Sequence, residues 1–269
     1  MTSEPPYRLV ATDLDGTLLS PRETVSARTR AAVATAAAAG AVHIIVTGRS
    51  AAWARPVFDQ LGYTGLAVCS QGAQVYDAGA HRLLTSMTLD RRLGALALEK
   101  LAAELGPLSV AASQDGLDGA VLAQHDYSLH NPDLPVQRVG GTDELLAAPI
   151  AKLYVQHAEL TDDQLAEAAR RVIGSLVTVT VAGPRIVELL PLGLSKATGL
   201  SLAARRLGLR ATDTIAFGDM PNDLPMLRWA GRGVAMANAH PELLAIADEV
   251  TASNADDGVA LVLERLYAR

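Results

Sequence analysis

The sequence predicts an α/β fold, with a Rossmann-like, doubly wound parallel sheet as its core and an inserted α+β cap domain. Three observations indicate this class. Short apolar runs alternate with helical stretches near both chain ends, a segment of different pattern separates them, and 269 residues suit about two domains at roughly 150 residues each. Hydrophobic residues make up 49% and charged residues 19% of the chain, a balance that excludes intrinsic disorder.

The first third of the chain has the pattern of a βαβ unit that continues into another helix and strand. Helices are expected over residues 26–39 and 50–61, and Gly40 stands where a glycine commonly ends a helix. The strands are expected over three short, bounded apolar runs, which is typical of buried parallel strands: Leu9–Thr12, Val42–Val46 and Leu66–Cys69.

The middle of the chain has a different pattern, which predicts a separate α+β unit. Helices are expected over 90–105 and 161–173, and strand-like runs over 108–112, 120–124 and 152–157. Two further runs, 176–181 and 185–190, are expected to pair through Ala182-Gly-Pro184. We therefore expect residues 82–189 to form the inserted cap domain and residues 1–81 and 190–269 to form the core.

After Pro191 the alternation of helix and strand returns. Helices are expected over 195–207, 224–229 and 241–247, and strands over 214–217 and 233–236. Both chain ends therefore contribute to one α/β core.

Composition excludes several classes of protein. The net charge of −6 and the absence of a basic block argue against a nucleic-acid surface. The single cysteine, Cys69, excludes disulfide frameworks and thiolate zinc clusters, and the six histidines are scattered. A metal, if used, is therefore expected on carboxylate oxygens and is a hard cation such as Mg²⁺.

No membrane association is expected either. The most apolar stretch, residues 31–46, is interrupted by Thr35, Gly40 and His43. The N-terminus lacks the basic start and the apolar run of a secretory signal, so a cytoplasmic location is expected.

Two acidic motifs follow predicted strands. Asp13 and Asp15 come after the first strand, and Asp219 and Asp223 come after the strand at 214–217. Ligands of open α/β sheets bind at the carboxyl ends of strands, and four carboxylates there repel one another unless a cation neutralises them. This pattern predicts a Mg²⁺ site. Asp-Gly is also a common turn, and Asp223 suits a helix N-terminus equally well.

Two further segments carry groups that bind anions. Thr47, Gly48 and Arg49 lie between a strand and a helix, where a hydroxyl, backbone amides and a guanidinium can hold phosphate. The alternative is simple helix capping by Thr47 or Ser50, and both roles are compatible. Lys196 lies in the first turn of a predicted helix, a position that the helix dipole disfavours unless an anion is near. Most lysines in such positions are simply solvated.

These motifs, in this order, resemble those of the haloacid dehalogenase superfamily of phosphatases, and most of all the Cof-type subgroup, which carries a large α/β cap between its second and third motifs. The cap residues match by pattern alone. The matching segments are Asp13-Leu-Asp-Gly-Thr17, Thr47-Gly-Arg49, Gly193-Leu-Ser-Lys196, Gly218-Asp-Met-Pro-Asn-Asp223 and Val234-Ala-Met-Ala-Asn-Ala239.

The resemblance implies a division of roles among the four aspartates. Asp13 would be the nucleophile that forms an aspartyl phosphate, and Asp15 the general acid and base. Mg²⁺ would be held by the carboxylates of Asp13 and Asp219 and the backbone carbonyl of Asp15, with Asp223 in support.

The resemblance also implies how the phosphoryl group is held. Thr47, Gly48 and Lys196 would bind its oxygens, and Arg49 and Asn222 would contact the phosphate or the substrate behind it. One departure from the family is Gln71-Gly-Ala73, where Cof-type sequences usually have Asn-Gly-Ala. Gln71 carries the same amide group on a side chain that is one methylene longer.

The expected function is Mg²⁺-dependent hydrolysis of a phosphate monoester of a small metabolite, with sugar phosphates as the leading class. Nucleotide, flavin and pyridoxal phosphates are the alternatives, and the low aromatic content of 4% slightly disfavours a stacking site. A phosphomutase would share the aspartyl phosphate but typically has a smaller cap. A non-catalytic phosphate-sensing module has no need of Asp15.

Overall fold

The computed structural model describes residues 5–129 and 136–268, which fold into two β-sheets with flanking helices. The strands are β1 (Leu9–Thr12), β2 (Val42–Val46), β3 (Leu66–Cys69), β4 (Gln74–Asp77), β5 (Arg82–Ser86), β6 (Ser109–Gln114), β7 (Val121–Gln124), β8 (Val136–Val139), β9 (Ile150–Gln156), β10 (Val177–Gly183), β11 (Ile186–Pro191), β12 (Thr214–Gly218), β13 (Arg232–Ala235) and β14 (Glu249–Val250). The helices are α1 (Ala27–Ala38), α2 (Ala51–Leu61), α3 (Arg91–Leu105), α4 (Thr142–Leu145), α5 (Asp162–Ile173), α6 (Lys196–Arg206), α7 (Leu224–Trp229), α8 (Pro241–Leu244) and α9 (Gly258–Tyr267).

The larger sheet is the parallel core that the sequence predicts, so the α/β fold class is confirmed. Its strand order is β14-β13-β12-β1-β2-β3-β4-β5, parallel from β14 to β3 and antiparallel at β4 and β5. Helices α1, α2 and α9 pack on one face, and α6, α7 and α8 pack on the other. The central strands β12, β1, β2 and β3 are largely buried between these two layers of helices, which explains why they are mostly apolar.

The smaller sheet has the order β10-β11-β9-β6-β7-β8, and its strands pair antiparallel except for β7 and β8. Helices α3 and α5 cover one face with a continuous apolar core. The opposite face carries a smaller cluster that includes Tyr127 and Tyr154. Within the described residues, no helix of this unit covers the opposite face, and we call it the helix-free face.

Several helices begin directly after a residue whose side chain caps the first helical turn. Ser26, Ser50 and Ser195 each accept a backbone N–H bond at the start of α1, α2 and α6. Asp90 does the same for α3, and Thr161 forms a complete capping box at α5. Such caps satisfy amide groups that the first helical turn leaves unpaired.

Several elements lie outside the sequence expectations. Strands β4, β5, β8 and β14 and the helices α4 and α9 have no predicted counterpart. Residue 82, the expected first residue of the inserted unit, is the first residue of β5, and β5 pairs in the larger sheet. None of the helices in the described part of the chain is long and apolar enough to cross a membrane.

His43 provides a pH-dependent contribution to the stability of the core. Its Nε2 lies 2.8 Å from Thr12 Oγ1, and burial lowers the pKa of its imidazole from 6.5 to about 4. The folded state thus holds His43 neutral where the unfolded chain protonates it, so its contribution is complete above pH 6.5 and is lost as the pH falls towards 4. We expect the wild type to lose about 1–3 kcal/mol of unfolding free energy relative to His43→Gln between pH 7 and 4. Urea denaturation at several pH values measures this difference, and parallel curves for the two proteins would contradict it.

Candidate active site

The site forms where three neighbouring parallel strands end. Asp13 follows β1, Thr47 follows β2 and Asp219 follows β12, and these strands lie side by side in the sheet. The backbone N–H of Asp13 donates to Phe217 O at 3.0 Å, which extends the pairing of β1 with β12 into the site. The carboxyl ends of the strands therefore bring together side chains that lie about 200 residues apart.

Three buried carboxylates and one ammonium form the centre of this site. Asp13, Asp219 and Asp223 each place an oxygen within 4.8 Å of the others. Lys196 Nζ donates to Asp13 Oδ1 at 2.5 Å and to Asp223 Oδ1 at 2.6 Å, and only 1% of Lys196 is exposed. Lys196 is thus a buried member of the site rather than a solvated helix-start lysine, and it leaves the cluster with an excess of negative charge.

Asp223 is occupied on both of its oxygens. Oδ1 accepts from Lys196, while Oδ2 accepts the backbone N–H groups of Asp219 and Met220 at 3.0 and 3.1 Å. It therefore fixes the turn that carries Asp219 as well as contributing charge. Asp219 itself accepts a hydrogen bond from the Thr17 hydroxyl at 3.0 Å.

The electrostatics of the cluster favour the binding of a cation. Burial raises the pKa of the Asp13 carboxyl well above its usual value, Lys196 partly lowers it, and nearby carboxylates, led by that of Asp223, raise it further. Burial together with Asp223 raises the pKa of Asp219 to about 7. Burial alone would lower the pKa of Lys196, but Asp13 and Asp223 raise it. Like charges held together out of water account for these directions.

Gly16 allows the loop after β1 to approach Asp219. Its φ is +76°, a conformation that other residues rarely adopt, and a Cβ at this position would lie 2.2 Å from Asp219 Oδ2. The turn between Asp15 and Thr17 thus needs glycine for two reasons, backbone conformation and space.

Asp15 lies apart from the three-carboxylate cluster. Its side chain is about half exposed, and both of its oxygens are held by Arg49, with Arg49 Nε donating to Oδ2 at 2.9 Å and Nη2 donating to Oδ1. The Arg49 guanidinium also lies 4.8 Å from the centre of the Trp53 ring. Arg49 thus links the loop after β2 to the loop after β1.

The remaining predicted phosphate-binding residues lie beside the cluster. Thr47 is buried, and its Oγ1 accepts the backbone N–H of Arg49 at 3.1 Å. Asn222 Nδ2 donates to Gln71 Oε1 at 3.1 Å, so the residue that departs from the family pattern is joined to a predicted site residue. Gln71 Nε2 and Asn222 Oδ1 are buried and have no hydrogen-bond partner in the described part of the chain.

A cavity of about 430 Å³ opens onto Asp15 and Asp219 from between the two sheets. The larger sheet contributes loop residues to its wall, and the helix-free face of the smaller sheet contributes the rest. Its lining includes Asp15, Arg49, Trp53, Ala111, Tyr127, Leu129, Tyr154, Arg185, Ile186, Glu188, Asp219 and Met220.

Two of the buried charged residues near this cavity were not expected from the sequence. Lys152 on β9 donates to Glu188 Oε1 on β11 at 2.5 Å and to Gly48 O at 2.7 Å. Lys152, Tyr154 and Glu188 belong to runs that suggest only buried strands. The indication in the sequence is that Lys152 and Tyr154 lie two residues apart, which places both side chains on one face of a strand.

Comparison with known proteins agrees with this geometry. The profile of the haloacid dehalogenase-like hydrolase family matches residues 10–263. The chain is 30% identical over 248 residues to an HMP-PP phosphatase of Serratia proteamaculans, covering 88% of this chain and 86% of that protein. It is 29% identical to a 5-amino-6-(5-phospho-D-ribitylamino)uracil phosphatase of Bacillus subtilis, over 97% of this chain and 98% of the relative.

A solved structure shares the fold over nearly the whole chain. It is a phosphatase of the haloalkanoate enzyme superfamily from Bacteroides thetaiotaomicron, 27% identical, with a TM-score of 0.78 over 97% of this chain and 95% of that one.

Proposed function

The chain belongs to the haloacid dehalogenase-like hydrolases and is a phosphatase of that superfamily, and we propose that it hydrolyses phosphate monoesters of small metabolites. The proposed reaction uses Mg²⁺ and passes through a phosphorylated Asp13. The observation that carries the proposal is the position of Asp13 at a strand end, 4% exposed, beside Lys196 and two further carboxylates, one of which, Asp219, lines the cavity. A covalent phosphoryl acceptor, an ammonium and a cavity for the ester are the parts that phosphoryl transfer requires.

The first half of the proposed reaction transfers the phosphoryl group to Asp13. The carboxylate oxygen of Asp13 attacks phosphorus, the bond from phosphorus to the ester oxygen breaks, and Asp15 gives its proton to the departing alkoxide. Lys196 fixes the other Asp13 oxygen and offsets charge on the phosphoryl group.

The second half regenerates the enzyme. Water attacks phosphorus, Asp15 takes the proton of that water, and the bond to Asp13 breaks to release inorganic phosphate. Arg49 holds both Asp15 oxygens, so Asp15 has to turn away from Arg49 before it can reach the leaving group. A phosphoryl oxygen that competes for the guanidinium would release Asp15 at the moment of binding.

The residues present fit a divalent cation. Three buried carboxylates share one ammonium, and all of their free atoms are hard oxygens, which Mg²⁺ prefers. Asp13 and Asp219 would hold the ion together with the backbone carbonyl of Asp15, and Asp223 would support them by orienting Asp219. When bound, Mg²⁺ supplies charge neutralisation for the nucleophile and the phosphoryl oxygens.

Release of inorganic phosphate from p-nitrophenyl phosphate tests this proposal. We expect turnover with Mg²⁺ and its loss when a chelator removes the ion, with recovery on adding Mg²⁺ back. Turnover that is indifferent to the chelator, or no turnover with any ester of a broad panel, would contradict the proposal.

Replacing Asp219 tests the metal ligands. We expect Asp219→Ala to raise the Mg²⁺ concentration for half-maximal activity at least about 10-fold, because losing a ligand or its supporting group costs 10- to 100-fold in affinity. Titration of activity against Mg²⁺ measures this value, and Asp163→Ala, an exposed acid outside the site, provides the matched control. An unchanged Mg²⁺ dependence in Asp219→Ala would remove that residue from the metal site.

We propose that the unit built on the smaller sheet acts as a cap that selects the substrate. Its helix-free face lines the cavity, whereas the proposed nucleophile and metal ligands all come from the larger sheet. Chemistry and selection would therefore lie on different parts of the chain.

Sugar phosphates, the class expected first from the sequence, remain one candidate for the substrate. The cavity lining favours a second, an ester whose leaving group carries a flat ring. Although aromatic residues are only 4% of the sequence, Trp53, Tyr127 and Tyr154 all line this cavity. Comparing kcat/KM for glucose 6-phosphate and benzyl phosphate, which both release an alkoxide, distinguishes the two classes.

A further inference from the structure

A buried ion pair lies on the cavity face of the smaller sheet. Glu188 on β11 is directly opposite Tyr154 on β9, and Lys152 lies two residues from Tyr154 on the same face. Lys152 Nζ donates to Glu188 Oε1 at 2.5 Å, and the two residues are 1% and 2% exposed. The pairing of β9 with β11 therefore fixes the position of the two side chains relative to each other.

Only one of the two Glu188 oxygens is used. Oε2 is buried and has no hydrogen-bond partner within the described ranges, and Glu188 is one of the residues that line the cavity. Leaving a buried carboxylate oxygen unpaired costs free energy, and that cost is recovered when a ligand donates a hydrogen bond to it. The proposed function does not account for this oxygen.

Apart from Glu188, Ser128 and Arg185, the cavity residues that the unit of the smaller sheet contributes are apolar, aromatic or glycine. Ala111, Leu129 and Ile186 line the cavity there, together with Tyr127 and Tyr154, whose ring centres are 6.5 Å apart. A sugar would bring several hydroxyl groups to this wall, and each one left unpaired would weaken binding. A flat ring with a single donor would satisfy the wall and the free oxygen together.

Lys152 joins this wall to the proposed phosphate loop. Besides Glu188, its ammonium donates to Gly48 O at 2.7 Å, in the loop that also carries Thr47 and Arg49. Its Nζ also lies 4.9 Å from the centre of the Tyr154 ring. One ammonium therefore fixes Glu188 relative to the loop on which the phosphoryl group would bind.

We propose that Glu188 Oε2 selects the substrate by accepting a hydrogen bond from a single N–H or O–H group on a flat ring of the leaving group, with Lys152 as the positioning residue. This inference rests on the proposed function, since it concerns the leaving-group end of the same cavity.

Three esters with the same alkoxide leaving group test the inference in the wild-type protein: benzyl, 3-aminobenzyl and 3-hydroxybenzyl phosphate. We expect kcat/KM for each ring that carries a donor to exceed that for benzyl phosphate by about 10- to 100-fold, the range that one buried hydrogen bond provides. Equal values for the three esters would overturn the inference, while Mg²⁺-dependent turnover of p-nitrophenyl phosphate would still support the proposed function.

Glu188→Gln distinguishes substrate recognition from a purely structural ion pair, because only recognition would change the ratio of kcat/KM between esters with and without a donor. Because the Lys152 ammonium only donates, it keeps the amide oxygen of Gln and leaves the NH₂ group at the position that Oε2 has in the wild type. We expect the preference for 3-aminobenzyl over benzyl phosphate to fall to about 1, while part of the preference for the hydroxyl, which can accept, remains. Glu23→Gln, the same change at an exposed part of the lining, should keep both ratios.

A second variant keeps the test decisive if Glu188→Gln fails to fold. The double change Lys152→Met with Glu188→Leu replaces the whole pair by apolar side chains, a change that proteins often tolerate. Both donor preferences should then fall to about 1. A donor preference that survives in either variant at its wild-type size would overturn the inference.

Discussion

Asp13→Asn is expected to lower turnover at least about 10⁴-fold for every phosphate ester, because an amide oxygen is too weak a nucleophile to form an acyl phosphate. The loss should not depend on the leaving group, and it should persist at saturating Mg²⁺, because restoring the ion does not restore the nucleophile. The change is nearly isosteric, and Lys196 keeps Asp223 as its partner, so the fold should survive.

Phosphate release with p-nitrophenyl phosphate and with an alkyl ester measures the Asp13→Asn loss. Asp59→Asn, at an exposed position on α2, is the matched control and should retain wild-type rates. Circular dichroism and thermal unfolding separate lost chemistry from lost structure. A folded Asp13→Asn protein with turnover near that of the wild type would show that the nucleophile lies elsewhere.

Asp15→Asn is expected to act through the leaving group. An alkoxide needs a proton in order to depart, whereas p-nitrophenolate departs with little help. The rate of the first phosphoryl transfer should therefore fall about 10²-fold or more for benzyl phosphate and distinctly less for p-nitrophenyl phosphate, whereas the later hydrolysis of phosphorylated Asp13 is slowed equally for both. The amide also weakens the contact with Arg49, so a general loss common to both esters is part of the expected result.

The informative quantity for Asp15 is the difference between the two losses. Rapid-quench kinetics with both esters measure it, and Ser20→Ala, a small polar residue in the same cavity lining, controls for a local disturbance. Equal losses for both esters would give Asp15 a positioning role instead of an acid role.

Local chemistry explains why much of the core could be predicted. The bounds of β1, β2 and β3 follow from short apolar runs that both faces of the sheet bury. Helices α1 and α2 begin directly after serine caps, because those hydroxyls satisfy backbone groups of the same turn. The four aspartates could be predicted as site residues because a carboxylate directly after a buried strand lies at the sheet edge where ligands bind.

Other features depend on contacts that no local pattern shows. Strands β4 and β5 form an antiparallel hairpin at the edge of the larger sheet. Neither strand has the continuous apolar run of a central strand, so no local pattern predicts them. The burial of Lys196 depends on Asp13 and Asp223, which are 183 and 27 residues away. The pairing of Lys152 with Glu188 depends on strand register, and the contact of Lys152 with Gly48 depends on how the two sheets meet.

If the phosphoryl group passes through Asp13, it can be trapped there as an aspartyl phosphate. Asp15→Asn should still accept a phosphoryl group from p-nitrophenyl phosphate but should release it slowly, because the base that activates water is missing. Acid quenching of this variant within the first turnover, followed by peptide mass spectrometry, should find one phosphoryl group on the peptide that contains Asp13, in an amount equal to the p-nitrophenolate released. Release of p-nitrophenolate with no phosphorylated peptide, or with the phosphoryl group on another residue, would contradict the account.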